Sequence, residues 1–125
     1  MQDPENLEVW KKSHQLTLDV YRTTDAPSFP RRWPLIDQIQ KSVLSVESNL
    51  TEGATRDNDA EFVRFVRYAL SSAFELRTQL LVAKDLGYMK TEDYQRHAGL
   101  LEEIRKMLWS LLERLEQSLG RRPLA

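Results

Sequence analysis

A chain of 125 residues, 41% hydrophobic and 30% charged, fits one folded domain over 1–125 that buries roughly two thirds of its unfolded surface. A formal net charge of −1 supplies no overall basic footprint for nucleic acid, and the lack of cysteine removes disulfides, thiolate metal sites and cysteine nucleophiles. Only four glycines and five prolines argue against disorder and against a loop-rich fold. No apolar run approaches the roughly 20 residues that span a membrane. The acidic start MQDPENLEVW lacks the basic and apolar segments of a secretory leader, so a cytoplasmic protein is expected.

Four segments carry helical periodicity, over about 4–24, 34–52, 59–86 and 91–119. The first opens with Asp3 as a cap and Pro4 at the first helical position. Leu7, Trp10, Thr17 and Tyr21 share one side, flanked by Val9, Leu16 and Val20. Three prolines in APSFPRRWP then stop the helix. The second carries Ile36, Ile39, Val43, Val46 and Leu50, and Gly53 is placed just past its end as a left-handed terminator. Asn58 and Glu61 read as a capping box for the third, which has the most regular stripe: Phe62, Phe65, Val66, Ala69, Ala73, Leu76, Leu80 and Ala83. Gly87 ends that helix, and Thr91 is the expected cap of the fourth. Leu101, Ile104, Leu108, Leu111, Leu115 and Leu119 line the fourth, which Gly120 closes. Nothing alternates with period two. Four amphipathic helices with short connections make an all-α, antiparallel up-down-up-down four-helix bundle.

Bundles often house metals, but the carboxylate di-iron pattern needs Glu-x-x-His on two helices. The only histidines, His14 and His97, follow Lys11 and Tyr94 at that spacing. No metal or cofactor is therefore expected. His14 is placed at the edge of the core beside Trp10 and Leu18, and His97 in a solvated first turn. The glycines are isolated and no serine has a nucleophile-elbow context, so neither a catalytic residue nor a small-molecule substrate is expected. Core burial is expected for Trp10 and Trp109. Glu92 with Arg96 and Glu102 with Lys106 have the spacing of surface ion pairs.

The topology gathers Arg31, Arg32, Lys84 and Lys90 at one end. Arg56, Arg121 and Arg122 gather at the other, among Asp3, Glu5, Asp57 and Asp59. Either cluster could hold phosphates, or it could be an ordinary solvated helix end.

The second helix also carries a stripe of small polar groups, Ser42, Ser45, Asn49 and Glu52, beside its apolar line. Such a stripe can be open surface, a ligand site, or a face that meets another helix. Small side chains admit a neighbouring backbone, and satisfied polar groups fix register. Contact with a helix or a second subunit is the expectation, with Arg64, Arg67 and Arg77 as candidate partners.

LEVWKKSHQLTLDVY, QIQKSVLSVESNLTEG and EFVRFVRYALSSAFELRTQLLVAKDLGYM together span nearly the whole chain. Their most specific parts are S-N-x-x-E-G at Ser48, Asn49, Glu52 and Gly53, and D-L-G-Y at Asp85 to Tyr88. In these motifs the chain resembles the bacterial four-helix bundle proteins encoded within intervening sequences of 23S ribosomal RNA genes. It is also similar to the accessory variability determinant of diversity-generating retroelements. The resemblance implies a ring-like homopentamer without enzyme activity, and nucleic-acid binding in relatives with basic surfaces. Where such proteins carry I-R-R-x-x-x-S-I-P-S-N, this chain has Ile39-Gln40-Lys41 and Ser45-Val46-Glu47-Ser48-Asn49, which removes positive charge from the second helix. The expected function is a self-assembling scaffold or adaptor whose partner is itself. The alternative is RNA or DNA binding through Arg31, Arg32 and Lys90, or through Arg56, Arg121 and Arg122, repeated around the oligomer.

Overall fold

The computed structural model describes residues 1–121. After a short 3-10 turn at Pro4–Asn6 come four helices: α1 (Glu8–Asp25), α2 (Trp33–Ala54), α3 (Asp59–Asp85) and α4 (Thr91–Ser118). No strand occurs among the described residues. Contacts run from α1 to α2, α2 to α3, α3 to α4 and α4 back to α1, while the diagonal pairs stay apart. That is the antiparallel up-down-up-down bundle, with each helix at one corner of a square.

The apolar spacing dictates the core. All eight residues of the α3 stripe are buried, as are Ile36, Ile39, Val43, Val46 and Leu50 of α2. On α4 the line from Leu101 through Leu115 is buried, but Leu119, in the capping position, is exposed. The α1 seam runs through Val9, Leu16 and Val20, with Ser13, Thr17 and Thr24 buried beside them. Each of those hydroxyls donates to the carbonyl four residues back, which satisfies it inside the core.

The helix ends depart from the sequence expectations in three places. Asp3 caps the 3-10 turn by accepting from Glu5 N, and α1 begins afresh after Leu7. The residue before α4 is Lys90, and Thr91 is already helical, so no side chain caps that helix. Gly53 lies inside α2 with no positive φ; among the described residues only Gly87 (φ 76°) and Gly120 (φ 69°) are left-handed. Gly53 is required by close approach instead. A Cβ there would stand 2.8 Å from Phe62 Cδ1 and 2.9 Å from Phe65 Cβ. At the start of α3 Asn58 accepts from Glu61 N at 2.9 Å, as the capping pattern requires.

Candidate functional site

The polar stripe of α2 meets α3. Ser42 is buried, and the Ser45 and Ser72 hydroxyls share a hydrogen bond of 2.8 Å. Asn49 Nδ2 donates to Ser45 O at 2.8 Å and to Ser45 Oγ at 3.0 Å, locking the middle of the stripe. Ser48 and Glu52 lie at the water-facing edge, where Glu52 stands 3.6 Å from Arg56. Arg64, Arg67 and Arg77 do not join the stripe. Arg64 donates to Tyr68 Oη at 3.1 Å, Arg67 reaches Glu116 of α4 at 3.2 Å, and Arg77 sits over the Phe74 ring at 5.1 Å. Further along the same seam, an open groove of about 460 Å³ is lined by Gln38, Lys41, Ser42, Glu75, Thr78 and Gln79.

The two ends of the bundle differ. At the end formed by the α1–α2 and α3–α4 connections, the Arg32 guanidinium lies 5.8 Å from the Tyr88 ring, and Phe29 meets the same ring edge-on. Arg31 lies 5.6 Å from the Trp33 ring, which is 55% exposed. Among the described residues no carboxylate pairs with Arg31, Arg32 or Lys90, while Lys84 lies 3.7 Å from Asp85. The opposite end is held by Gln2 N donating to Ala54 O and by Ser118 Oγ donating to Asp59. There Arg56 pairs with Glu52, and Arg121 donates to Glu116 at 3.2 Å. Those two cations are neutralised locally; Arg122 lies outside the described residues.

One ion pair crosses between helices where the sequence suggested a local one. Arg96 bypasses Glu92 and grips Asp19 of α1 with Nε at 2.7 Å and Nη2 at 3.1 Å, while Nη1 reaches Asp93 at 3.0 Å. These donors hold the Asp19 carboxyl below its usual range, and Arg96 is held firmly charged. Glu102 pairs with Arg105 rather than Lys106. His97 is not solvated: it is 0% exposed, wedged between α1 and α4, with Nε2 2.8 Å from Thr23 Oγ1. Burial pushes its pKa down, and Arg96 adds to that, while Asp19 and Asp93 oppose it. Its place on the apolar line, four residues before Leu101 and seven before Ile104, is the signal that marks it as a core residue. His14 stacks on Trp10 at 5.0 Å and its Nδ1 lies 2.9 Å from Glu47 Oε2, at the core edge. No group of three metal-ligating side chains assembles among the described residues.

Large apolar side chains stand in water on two opposite sides of the square. On the α1/α2 side are Leu18 and Leu44 (44% exposed); on the α3/α4 side are Phe74 (46%), Leu81 and Trp109 (39%); Trp33, Tyr68, Val82, Leu86 and Leu119 are also exposed, outside these two groups. Trp109 is therefore not a core residue; its Nε1 donates to Glu113 on the surface. Hydrogen bonds tie Leu18, Leu44, Phe74 and Trp109 to one level, while Leu81 lies two turns further along α3. Leu18 and Leu44 each follow a member of the Thr17–Val43 contact. Leu44 and Phe74 lie next to the Ser45–Ser72 bond. Phe74 and Trp109 each lie two helical turns from the Arg67–Glu116 pair, toward the same end. The result is an apolar belt with two opposed halves.

Among the described residues no helix is long and apolar enough to cross a membrane. No curated protein matches the chain. A crystal structure of a protein of unknown function from the S23 ribosomal protein family of Bacteroides thetaiotaomicron has the same fold, with a TM-score of 0.77 at 23% identity, over 84% of this chain and 98% of that one. A family model described as the 23S rRNA-intervening sequence protein matches residues 5–110, and the chain belongs to that family.

Proposed function

We propose that this protein is a non-enzymatic scaffold of the cytoplasm that assembles with copies of itself into a ring, a homopentamer. The observation that carries this reading is the divided apolar belt. Apolar side chains grouped on a surface mark interaction sites, where singly scattered ones do not. A head-to-tail assembly uses two different patches on each subunit, and closure of that pattern makes a ring. Five subunits is the number that the resemblance to ring-forming bundle proteins supplies. Glu47, His97 and Glu116, the buried ionisable groups, each reach a side chain on another helix, and the grooves between helices are open to water. Native mass spectrometry at micromolar concentration tests the reading. A dominant species at five times 14.7 kDa is expected, and a spectrum holding only the 14.7 kDa chain contradicts it.

A second reading, binding of RNA or DNA, has a specific observation in its favour. Arg31, Arg32 and Lys90 lie at one end without carboxylate partners among the described residues, Arg31 donating to the Asp25 carbonyl at 3.2 Å and lying beside the exposed Trp33 ring. A ring would repeat that cluster around one rim and make weak contacts cumulative. Binding to labelled single-stranded RNA or DNA would then fall steeply as salt rises, and the R31E/R32E variant would lose it. Absence of binding at low salt removes this reading and leaves the scaffold intact.

A further inference from the structure

We infer that the subunit contact is formed by the α1/α2 face of one copy against the α3/α4 face of the next, with the bundle axes running in the same direction. The inference rests on the self-assembly reading above and adds the two faces and their orientation. Each face has an apolar centre flanked by charge, and the charges are ordered along the axis. On the α1/α2 face, Asp37 lies two turns from Leu44 toward the α1–α2 connection, and Lys11 lies two turns from Leu18 toward the termini. On the α3/α4 face, Arg77 lies one turn from Phe74 toward the α3–α4 connection, and Glu113 lies one turn from Trp109 toward the termini. The two connections share one end of the bundle, as the Arg32–Tyr88 contact shows.

Parallel axes therefore set Asp37 against Arg77 and Lys11 against Glu113, with Leu18 and Leu44 against Phe74 and Trp109 between them. Antiparallel axes would set Asp37 against Glu113 and Lys11 against Arg77, like charge on like. Complementary charge selects orientation and register more than it adds affinity. The Asp37–Arg77 match is the stronger of the two. Among the described residues neither has an ion pair of its own and both are exposed; Glu102, near enough to feel the Arg77 charge, is paired with Arg105. Lys11 is shared with Glu8 at 3.2 Å, and Glu113 accepts from Trp109 Nε1. Arg22 and Asp25 stand on the same α1/α2 side and offset one another, so they leave this order intact. Two different faces in contact with parallel axes make a head-to-tail assembly rather than a two-fold pair, and it closes as a ring where each added subunit is rotated by an equal fraction of a full turn.

Sedimentation velocity of full-length wild type, D37R, R77D and the D37R/R77D double variant tests the inference. All four keep the helical content of wild type by circular dichroism, since both positions are exposed on helices. D37R and R77D each raise the concentration at half dissociation by roughly tenfold or more, and the double variant, with the pair reversed, restores assembly. A wild-type oligomer indifferent to both single reversals, or one that the double variant does not restore, overturns the assignment of faces and leaves self-assembly standing. A monomeric wild type overturns self-assembly itself and this inference with it.

Discussion

His97 Nε2 and Thr23 Oγ1 share a hydrogen bond of 2.8 Å between α4 and α1. Thr23 Oγ1 also lies 3.1 Å from the Asp19 carbonyl, so one hydroxyl links the histidine to the α1 backbone. His97 Nδ1 has no hydrogen-bond partner and lies 3.5 Å from Asp19 Oδ2. The neutral ring fits this pocket and the charged ring does not, because burial outweighs the attraction of Asp19 and Asp93.

That arrangement makes stability depend on pH with a definite sign. The folded pKa of His97 is lowered, so the unfolded chain binds the proton more readily. The contribution is fully present above the ordinary histidine value of about 6.5 and is lost as pH falls from there through the lower folded value. The carboxyl of Asp19, also lowered, contributes above about pH 4 and is lost below it. Urea midpoints measured from pH 7.5 to pH 5 are expected to fall in wild type and to stay flat in H97Q, which keeps a hydrogen-bonding side chain for Thr23. An equal decline in H97Q would show that another group is responsible.

Glycine substitutions separate three physical causes. Gly53→Ala forces a methyl against Phe62 and Phe65 at less than 3 Å and should cost about 1–3 kcal/mol. Gly87→Ala puts a side chain at φ 76° and should cost about 1–2 kcal/mol. Gly99→Ala, in the exposed middle of a helical turn with no neighbour within 4 Å, should stabilise by about 0.5–1 kcal/mol. Thermal unfolding of the three variants checks the order. A Gly53→Ala protein as stable as wild type would mean that the α2–α3 contact is looser than described.

The Glu116 carboxylate is 4% exposed and held by two arginines, Arg67 at 3.2 Å and Arg121 at 3.2 Å. Either arginine alone can satisfy it, so R67A and R121A should each cost less than about 1 kcal/mol. Removing both strands a buried charge and should cost about 3 kcal/mol, more than the sum of the singles. A double-mutant cycle in urea reads the coupling, and simple additivity would contradict the shared role.

Ser45 and Ser72 form the one direct side-chain bond by which the α2 stripe reaches α3, at 2.8 Å. Ser45→Ala leaves Ser72 without it and takes an acceptor from Asn49, at an expected cost of about 1 kcal/mol. Ser72→Ala should cost less, since Ser45 keeps its bond from Asn49. Equal losses in the two variants would argue against the ordered chain from Asn49 through Ser45 to Ser72.

Apolar spacing made the bundle legible, because a stripe such as Phe62 to Ala83 has nowhere to be buried except against other helices. Helix ends were legible where the terminator acts locally, as at Asn58 and Gly87. They were not at Gly53, whose reason is the approach of Phe62 and Phe65 across a tertiary contact. The same limit hid the ion pairs: a local partner can be read from spacing, but Arg96 found Asp19 on a helix 77 residues away in sequence. His97 and Trp109 were misplaced for a different reason. His97 sits on the α4 apolar line and Trp109 a third of a turn off it, so residue type was weighted above position. The two opposed patches depend on which corner of the square each helix occupies, and no single helix carries that information.

Light scattering over a dilution series of the wild-type chain in physiological salt puts the most direct question to the account. A plateau mass several times 14.7 kDa, five-fold for the ring, that drops only on dilution is the predicted result. A mass of 14.7 kDa at every concentration would leave the apolar belt without an occupant and contradict the account.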